Sequence, residues 1–177
     1  MVLTPSNYSV LKKGNRAPDF LLKGIDGKKQ SLEEFRHAKA LLVFFMCNHC
    51  PYVNAKIDWL VKLHQKFFSK GLQMIGINSN DAQQYPDDSF ENMKRFAQEK
   101  NIQFSYLMDE TQEIAKAFGA TCTPDPFLFD AQQRLVYHGR IDDAHGQTHE
   151  QARTNELEEA IQELLETGAV RTVEKPS

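Results

Sequence analysis

Residues 40–46 read Ala-Leu-Leu-Val-Phe-Phe-Met, an apolar run with no polar alternation. A strand with one wet face alternates, so this one suits the centre of a sheet covered on both sides. The run ends at Cys47. There Cys47-Asn48-His49-Cys50-Pro51 sets two cysteines, separated by two residues, between the strand and an amphipathic helix. A strand that ends at a helix start delivers the first cysteine to unpaired backbone N–H groups and the positive end of the helix dipole. Both favour thiolate, the reactive form. Two intervening residues let the sulfurs meet across one helical turn, which is the layout of a dithiol redox site.

The rest of the chain alternates in the way that central strand requires. Residues 17–22 and 24–30, joined through Asp26-Gly27, read as a β-hairpin, and residues 31–35 as one capped helical turn. From 52 to 70, Val53, Ile57, Leu60, Val61, His64, Phe67 and Phe68 recur mostly at spacings of three and four, and Gly71 follows where a C-terminal cap belongs. Residues 72–78 form a second buried strand. A helix follows with Phe90, Met93, Phe96 and Ala97 on one face, then a strand at 104–107 and a short helix at 110–118. Residues 127–129 and 135–137 pair as a late hairpin. Asn155, with Glu158 three residues on, caps a closing helix striped by Leu157, Ala160, Ile161, Leu164 and Leu165. This order implies a three-layer α/β/α domain with a mixed central sheet, and residues 170–177 read as a loose tail.

A chain of 177 residues buries enough surface to fold without disulfide staples, so its three cysteines are free for chemistry. The odd count and the N-terminus Met1-Val2-Leu3-Thr4-Pro5-Ser6, with no basic or apolar leader, point to a cytoplasmic, reducing setting. The apolar runs fall far short of the roughly 20 residues a membrane helix needs. The net charge is −3 and carries no Lys/Arg block, which leaves no footprint for nucleic acid or anionic lipid.

The arrangement resembles the thioredoxin-like superfamily, in particular its redoxin branch of peroxiredoxin-like and cytochrome-maturation-type thiol–disulfide oxidoreductases. Three blocks carry the likeness: Gly14-Asn15-Arg16-Ala17-Pro18-Asp19-Phe20, the cysteine pair, and Ala115-Lys116-Ala117-Phe118-Gly119-Ala120 leading to Cys122-Thr123-Pro124-Asp125-Pro126-Phe127-Leu128-Phe129-Asp130. The resemblance covers residues 14–168. It implies a single thioredoxin-fold domain with an N-terminal β-hairpin extension and no cofactor. It also implies a cis Thr123-Pro124 bond whose Thr123 backbone pairs with substrate, where the residues alone also allow an ordinary trans turn.

The resemblance further implies that Cys47, the more exposed thiol, attacks or is attacked, and that Cys50, one turn into the helix, resolves the mixed disulfide. A disulfide-bearing protein or small molecule and a thiol electron donor are then the partners. An exposed apolar patch around Met46 and Pro51 would suit a protein substrate. His49 beside the sulfurs stabilises the Cys47 thiolate, so the potential is expected above the roughly −270 mV of thioredoxin. The alternative is a solvated histidine at the helix start. Two departures stand out: Met46 replaces the usual tryptophan, and Leu41 replaces the buried acid that assists the second cysteine. Asp125 is a candidate substitute for that acid, or a turn residue.

Cys122, two residues before Pro124, is a possible third redox thiol or a small buried residue. A peroxiredoxin-like peroxidase needs a hydroxyl three residues before its cysteine. Phe44 and Cys47 hold those positions, so peroxidase activity is expected to be weak or absent. One Cys-x-x-Cys is half a zinc pattern, so a copper or zinc carrier, or a redox-switched binding module, is the non-enzymatic rival. The acidic stretch 80–91, with Asp81, Asp87 and Asp88, reads as a solvated loop that caps the next helix and overhangs the site as an insertion. Arg140, Asp142, Asp143 and His145 read as a polar loop open to docking.

Overall fold

The computed structural model describes Tyr8 and residues 10–176. The strand that anchors it, β3 (Ala40–Phe45), is buried at every position. Ala40, Leu42 and Phe44 enter one hydrophobic core, and Leu41, Val43 and Phe45 enter another on the opposite face. The two-residue period of a strand divides an unbroken apolar run in this way.

Around β3 the chain forms β1 (Leu21–Gly24), β2 (Lys29–Ser31), β4 (Leu72–Asn78), β5 (Ser105–Met108), β6 (Asp125–Asp130) and β7 (Leu135–His138). They make one seven-stranded sheet in the order β2-β1-β5-β4-β3-β6-β7. β4 runs parallel to both β3 and β5, and the remaining pairs are antiparallel. The sheet is mixed, and the hairpin β1–β2 extends its edge.

Helices cover both faces. On one side α1 (Pro51–Phe67), α2 (Phe90–Glu99) and α4 (Glu156–Thr167) bury Val53, Ile57, Leu60, Met93, Phe96, Leu157 and Ile161. On the other, α3 (Glu113–Phe118) brings Phe118 against Phe45, Phe127 and Phe129, with Leu11, Phe20 and Leu32 completing the layer. Fully burying one such side chain stabilises by roughly 1.5–3 kcal/mol, so both layers are needed to cover the sheet. The architecture is the thioredoxin-like α/β/α sandwich.

Two expectations about the C-terminal region need correction. Asn155 stands at the start of α4, yet its side chain makes no cap hydrogen bond; its carbonyl instead accepts the Glu159 N–H at 2.9 Å. The tail is tied down in its described part. Glu163 Oε2 accepts the Arg171 and Thr172 N–H groups at 2.7 and 2.9 Å. Glu174 Oε1 accepts the His138 N–H at 3.0 Å, and Arg140 N–H donates to the Lys175 carbonyl at 2.7 Å. Ser177 and the N-terminal stretch Met1–Ser6, on which the expectation of a reducing setting partly rests, lie outside the described residues.

Candidate active site

At the end of β3, Met46 N–H still bonds the Ile77 carbonyl at 2.9 Å, and the chain then leaves the sheet. Met46 is fully buried and so forms no exposed patch with Pro51. α1 begins at Pro51, with Cys50 as its N-cap. Proline favours that break, since it fits the first helical position, where no N–H is required. The helix start therefore belongs to Cys50, which is not one turn inside, and Cys47 lies in the irregular stretch before it. Nor is Cys47 the exposed thiol, since Cys47 is 3% and Cys50 7% exposed.

The dipeptide between them is held on every side. Asn48 N–H donates to Asp88 Oδ1 at 2.7 Å, its side-chain amide donates to the Asp87 carbonyl at 2.7 Å, and its Oδ1 accepts the Tyr106 hydroxyl at 2.8 Å. From α1, Asn54 donates back to the carbonyls of Asn48 and Cys50 at 2.8 and 3.0 Å. His49 Nδ1 lies 2.6 Å from Asp88 Oδ2, and the Tyr85 ring stacks on the imidazole with centroids 5.0 Å apart and 10° between planes.

Asp88 departs from the solvated loop that its sequence context suggests. Its carboxylate is fully buried, and besides Asn48 and His49 it accepts from Asn78 at 3.2 Å and Asn80 at 2.8 Å. The loop does lie over the cysteine segment. The signal for this contact is absent from the local sequence, because Pro86-Asp87-Asp88-Ser89 also reads as an ordinary lead-in to α2 and the partner is 39 residues away.

From the other side comes the turn before β6, where the Thr123-Pro124 bond is cis. Thr123 Oγ1 lies 3.7 Å from Cys47 Sγ, and the Thr123 carbonyl lies 3.3 Å from Cys50 Sγ, which donates to it as a thiol. That carbonyl is thus occupied while Cys50 is protonated. A cavity of about 600 Å³ opens here, lined by Cys47, Cys50, Cys122, His49, Thr123 and Tyr85 among others. Cys122 shares that cavity and is half-buried.

The two thiols lose their protons as one coupled pair. Their mutual hydrogen bond holds one proton between them and eases loss of the other, with Thr123 and the N–H groups of Val53 and Tyr52 adding to that effect, while burial and the Asp88 charge oppose it. One thiolate bonded by the remaining thiol is therefore the state this helix start favours.

Other candidates sit elsewhere. Asp125 is fully buried, bonded to His138 Nε2 at 2.8 Å and to the Thr121 N–H at 3.1 Å, and does not line the cavity. Asp142 turns inward to Lys56 at 2.7 Å and His149 at 2.7 Å, and Arg140 pairs with Glu156, so that loop is fastened to the core. Among the described residues, Cys47, His49 and Asp88 bring ligand-type atoms within 4.8 Å of one another. Each Asp88 oxygen already accepts two hydrogen bonds, and His49 Nδ1 is engaged, so a metal would have to break that network. The donor set does not fit one.

Comparison with known proteins agrees with this geometry. A solved structure of a hypothetical protein from Sinorhizobium meliloti 1021 is 39% identical, with a TM-score of 0.92 over 99% of this chain and 94% of that one. The thioredoxin domain of a thiol-disulfide oxidoreductase from Bacteroides vulgatus superposes with a TM-score of 0.63 at 20% identity, over 72% of this chain and 88% of that one. It shares the fold. The thiol-disulfide oxidoreductase ResA of Bacillus cereus (strain ATCC 10987 / NRS 248) is 24% identical over 131 residues, 74% of this chain and 71% of that protein. The model described as the AhpC/TSA family matches residues 13–138, all seven strands and all three cysteines included, and the chain belongs to that family.

Proposed function

We propose that the protein is a thiol–disulfide oxidoreductase in which Cys47 attacks and Cys50 resolves. The observation that carries this reading is the placement of the pair: two thiols at a helix start facing one cavity, with the cis Thr123-Pro124 turn beside them. The Cys47 thiolate attacks a substrate disulfide, forming one S–S bond and releasing one thiolate. Cys50 then displaces the second substrate sulfur, closing Cys47–Cys50. The sum is dithiol plus disulfide giving protein disulfide plus two thiols, and a thiol reductant restores the dithiol. The oxidoreductase name of the Bacillus cereus relative supports the reaction class.

Thr123 and the cis Pro124 form the wall opposite the sulfurs against which a disulfide lies. Because both thiols are buried, the substrate is one whose disulfide enters the cavity, either a small molecule or an extended protein segment. No helix among the described residues is long and apolar enough to cross a membrane. Equilibrium titration in glutathione buffers, with trapped thiols located by mass spectrometry, tests the reading. A two-electron transition confined to Cys47 and Cys50, with Cys122 trapped as a thiol at every potential, is expected. A transition pairing Cys122 would overturn it.

Peroxide reduction is the second reading, favoured by family membership and by the ease with which the pair forms a thiolate. Phe44 and Cys47 stand where such enzymes carry a hydroxyl, so the rate with hydrogen peroxide is expected to be low. Its assay on the reduced protein separates the two readings.

A further inference from the structure

Thr123 is the residue both sulfurs meet, through Oγ1 at 3.7 Å from Cys47 Sγ and a carbonyl at 3.3 Å from Cys50 Sγ. It stands in the turn 121–124, which belongs to no helix or strand. A side chain on irregular backbone keeps its place only as far as the backbone on either side is fastened. The thiol segment has fastenings of its own, from Asp88 on one side and Asn54 on the other. Thr123 needs a different one.

We infer that Asp125 and His138 are positioning residues for Thr123, and that through it they set how a substrate disulfide lies against the thiols. This rests on the reading that Cys47 and Cys50 exchange with a disulfide. Asp125 opens β6 in register with Phe45 of β3, two residues before Cys47. Its Oδ2 accepts the Thr121 N–H at 3.1 Å, and its Oδ1 lies 2.8 Å from His138 Nε2. Thr123 is midway between the two fastened residues. One oxygen holds the turn, and the other holds the carboxylate.

His138 is itself held. It pairs with Phe127 across β6 and β7, its ring stacks on the Phe127 ring with centroids 3.9 Å apart, and Glu174 Oε1 accepts its backbone N–H at 3.0 Å. The side chains of His138 and Asp125 are both buried. Nδ1 of His138 makes no hydrogen bond among the described residues, so a proton placed there would be an unpaired buried donor. The hydrogen therefore belongs on Nε2, facing Asp125. A carboxylate suits this place because it accepts on both oxygens, here from a side chain and from the backbone. The pair lines no part of the cavity and acts only through the turn.

Asp125→Asn offers one acceptor to two donors, so either the Thr121 N–H or the imidazole faces an NH2 group. A misplacement of about 1 Å can cost about 10²-fold, so attack of the reduced protein on oxidised glutathione, read by quenched flow and mass spectrometry, is expected to slow by about tenfold or more. Alkylation of Cys47 by iodoacetamide follows its thiolate and needs no wall, so it should change by less than about twofold. Thr123→Ala alone should slow attack by about threefold and add nothing to Asp125→Asn, since that contact is already lost. Losses that multiply would overturn the proposal, because the two residues would then act separately. Alkylation slowed as much as attack would do the same, since it marks a general disturbance of the site.

His138 supplies a test that stands even if Asp125→Asn does not fold. Glutamine places a donor where Nε2 stands and asparagine does not reach, while each buries one amide in the same space. His138→Gln should keep attack on oxidised glutathione within about threefold of the parent protein, and His138→Asn should slow it by about tenfold or more. Equal rates in the two would overturn the proposal. The reading underneath has its own outcome. A parent protein whose Cys47 is alkylated, but which leaves both oxidised glutathione and the disulfides of insulin intact, is no thiol–disulfide oxidoreductase, whatever the variants do.

Discussion

Two carboxylate–imidazole pairs flank the thiols, and they differ in almost everything except chemistry. His49–Asp88 lies on the α2 side at 2.6 Å, with the imidazole partly in solvent and Tyr85 laid over it. His138–Asp125 lies on the β6–β7 side at 2.8 Å with both side chains buried, Phe127 stacked at 3.9 Å and Tyr8 edge-on. The first pair stands within 4.8 Å of Cys47 Sγ and is partly open to solvent. The second lies outside the cavity lining and is sealed. Identical groups can therefore stand beside a reacting atom in one place and act as a fastening in the other, and what divides them is access to solvent and to that atom.

The largest expected effect breaks the pairs by stability. His138→Ala leaves the Asp125 carboxylate buried with only the Thr121 N–H, and losing one partner of a buried pair costs about 3 kcal/mol or more. His49→Ala leaves Asp88 with three donors and removes a partly wet ring, so about 1 kcal/mol or less is expected. Urea unfolding of both variants reads the difference. If His138→Ala is no less stable than His49→Ala, the division into fastening and working pair is wrong.

A second measurement sharpens the link to the thiols. Alkylation of the reduced pair should reach half its plateau well below the ordinary thiol value of about 8.5 and stay flat through neutrality, because the first proton lost leaves a thiolate bonded by the other thiol. The strongest cause is that mutual hydrogen bond, so Cys50→Ala should move the midpoint of Cys47 up toward about 8.5 and slow alkylation at pH 7 on the order of tenfold. An unmoved midpoint would mean that the helix start alone makes the thiolate. The same acidity should stabilise the reduced dithiol and raise the potential above the roughly −270 mV of thioredoxin, which the glutathione titration reads directly.

The fold was legible because its signals are local. The unbroken run at 40–46, the stripes of α1 and α4 and the turn at Gly71 each fix an element without reference to the rest. The thiols, His49 and the Thr123-Pro124 turn were legible as members of the site. What was not legible was how the site is held. Cys50 is the N-cap of α1 and not a residue one turn inside it, and a carboxylate from the β4–α2 loop fastens the dipeptide between the thiols. Asp88 looked like a surface acid because its four hydrogen bonds come from Asn48, His49, Asn78 and Asn80, and only the fold brings the first two near. Asp142 was misread for the same reason, its Lys56 partner being 86 residues away.

The smallest expected effect concerns the two rings that hold the two imidazoles. Phe127 is part of a strand and packed on all sides, so it cannot be removed without disturbing the core. Tyr85 is 48% exposed and contributes a face against His49. Such a stacked pair is worth about 0.5–1.5 kcal/mol, and part of that holds the imidazole against Asp88 beside the thiols. Tyr85→Ala should therefore slow attack by Cys47 by roughly threefold, the rate penalty equivalent to a fraction of that stacking energy. Tyr85→Phe keeps the face and should be neutral. If Tyr85→Ala leaves the rate unchanged, the bond to Asp88 alone fixes the imidazole and the ring is only part of the cavity wall.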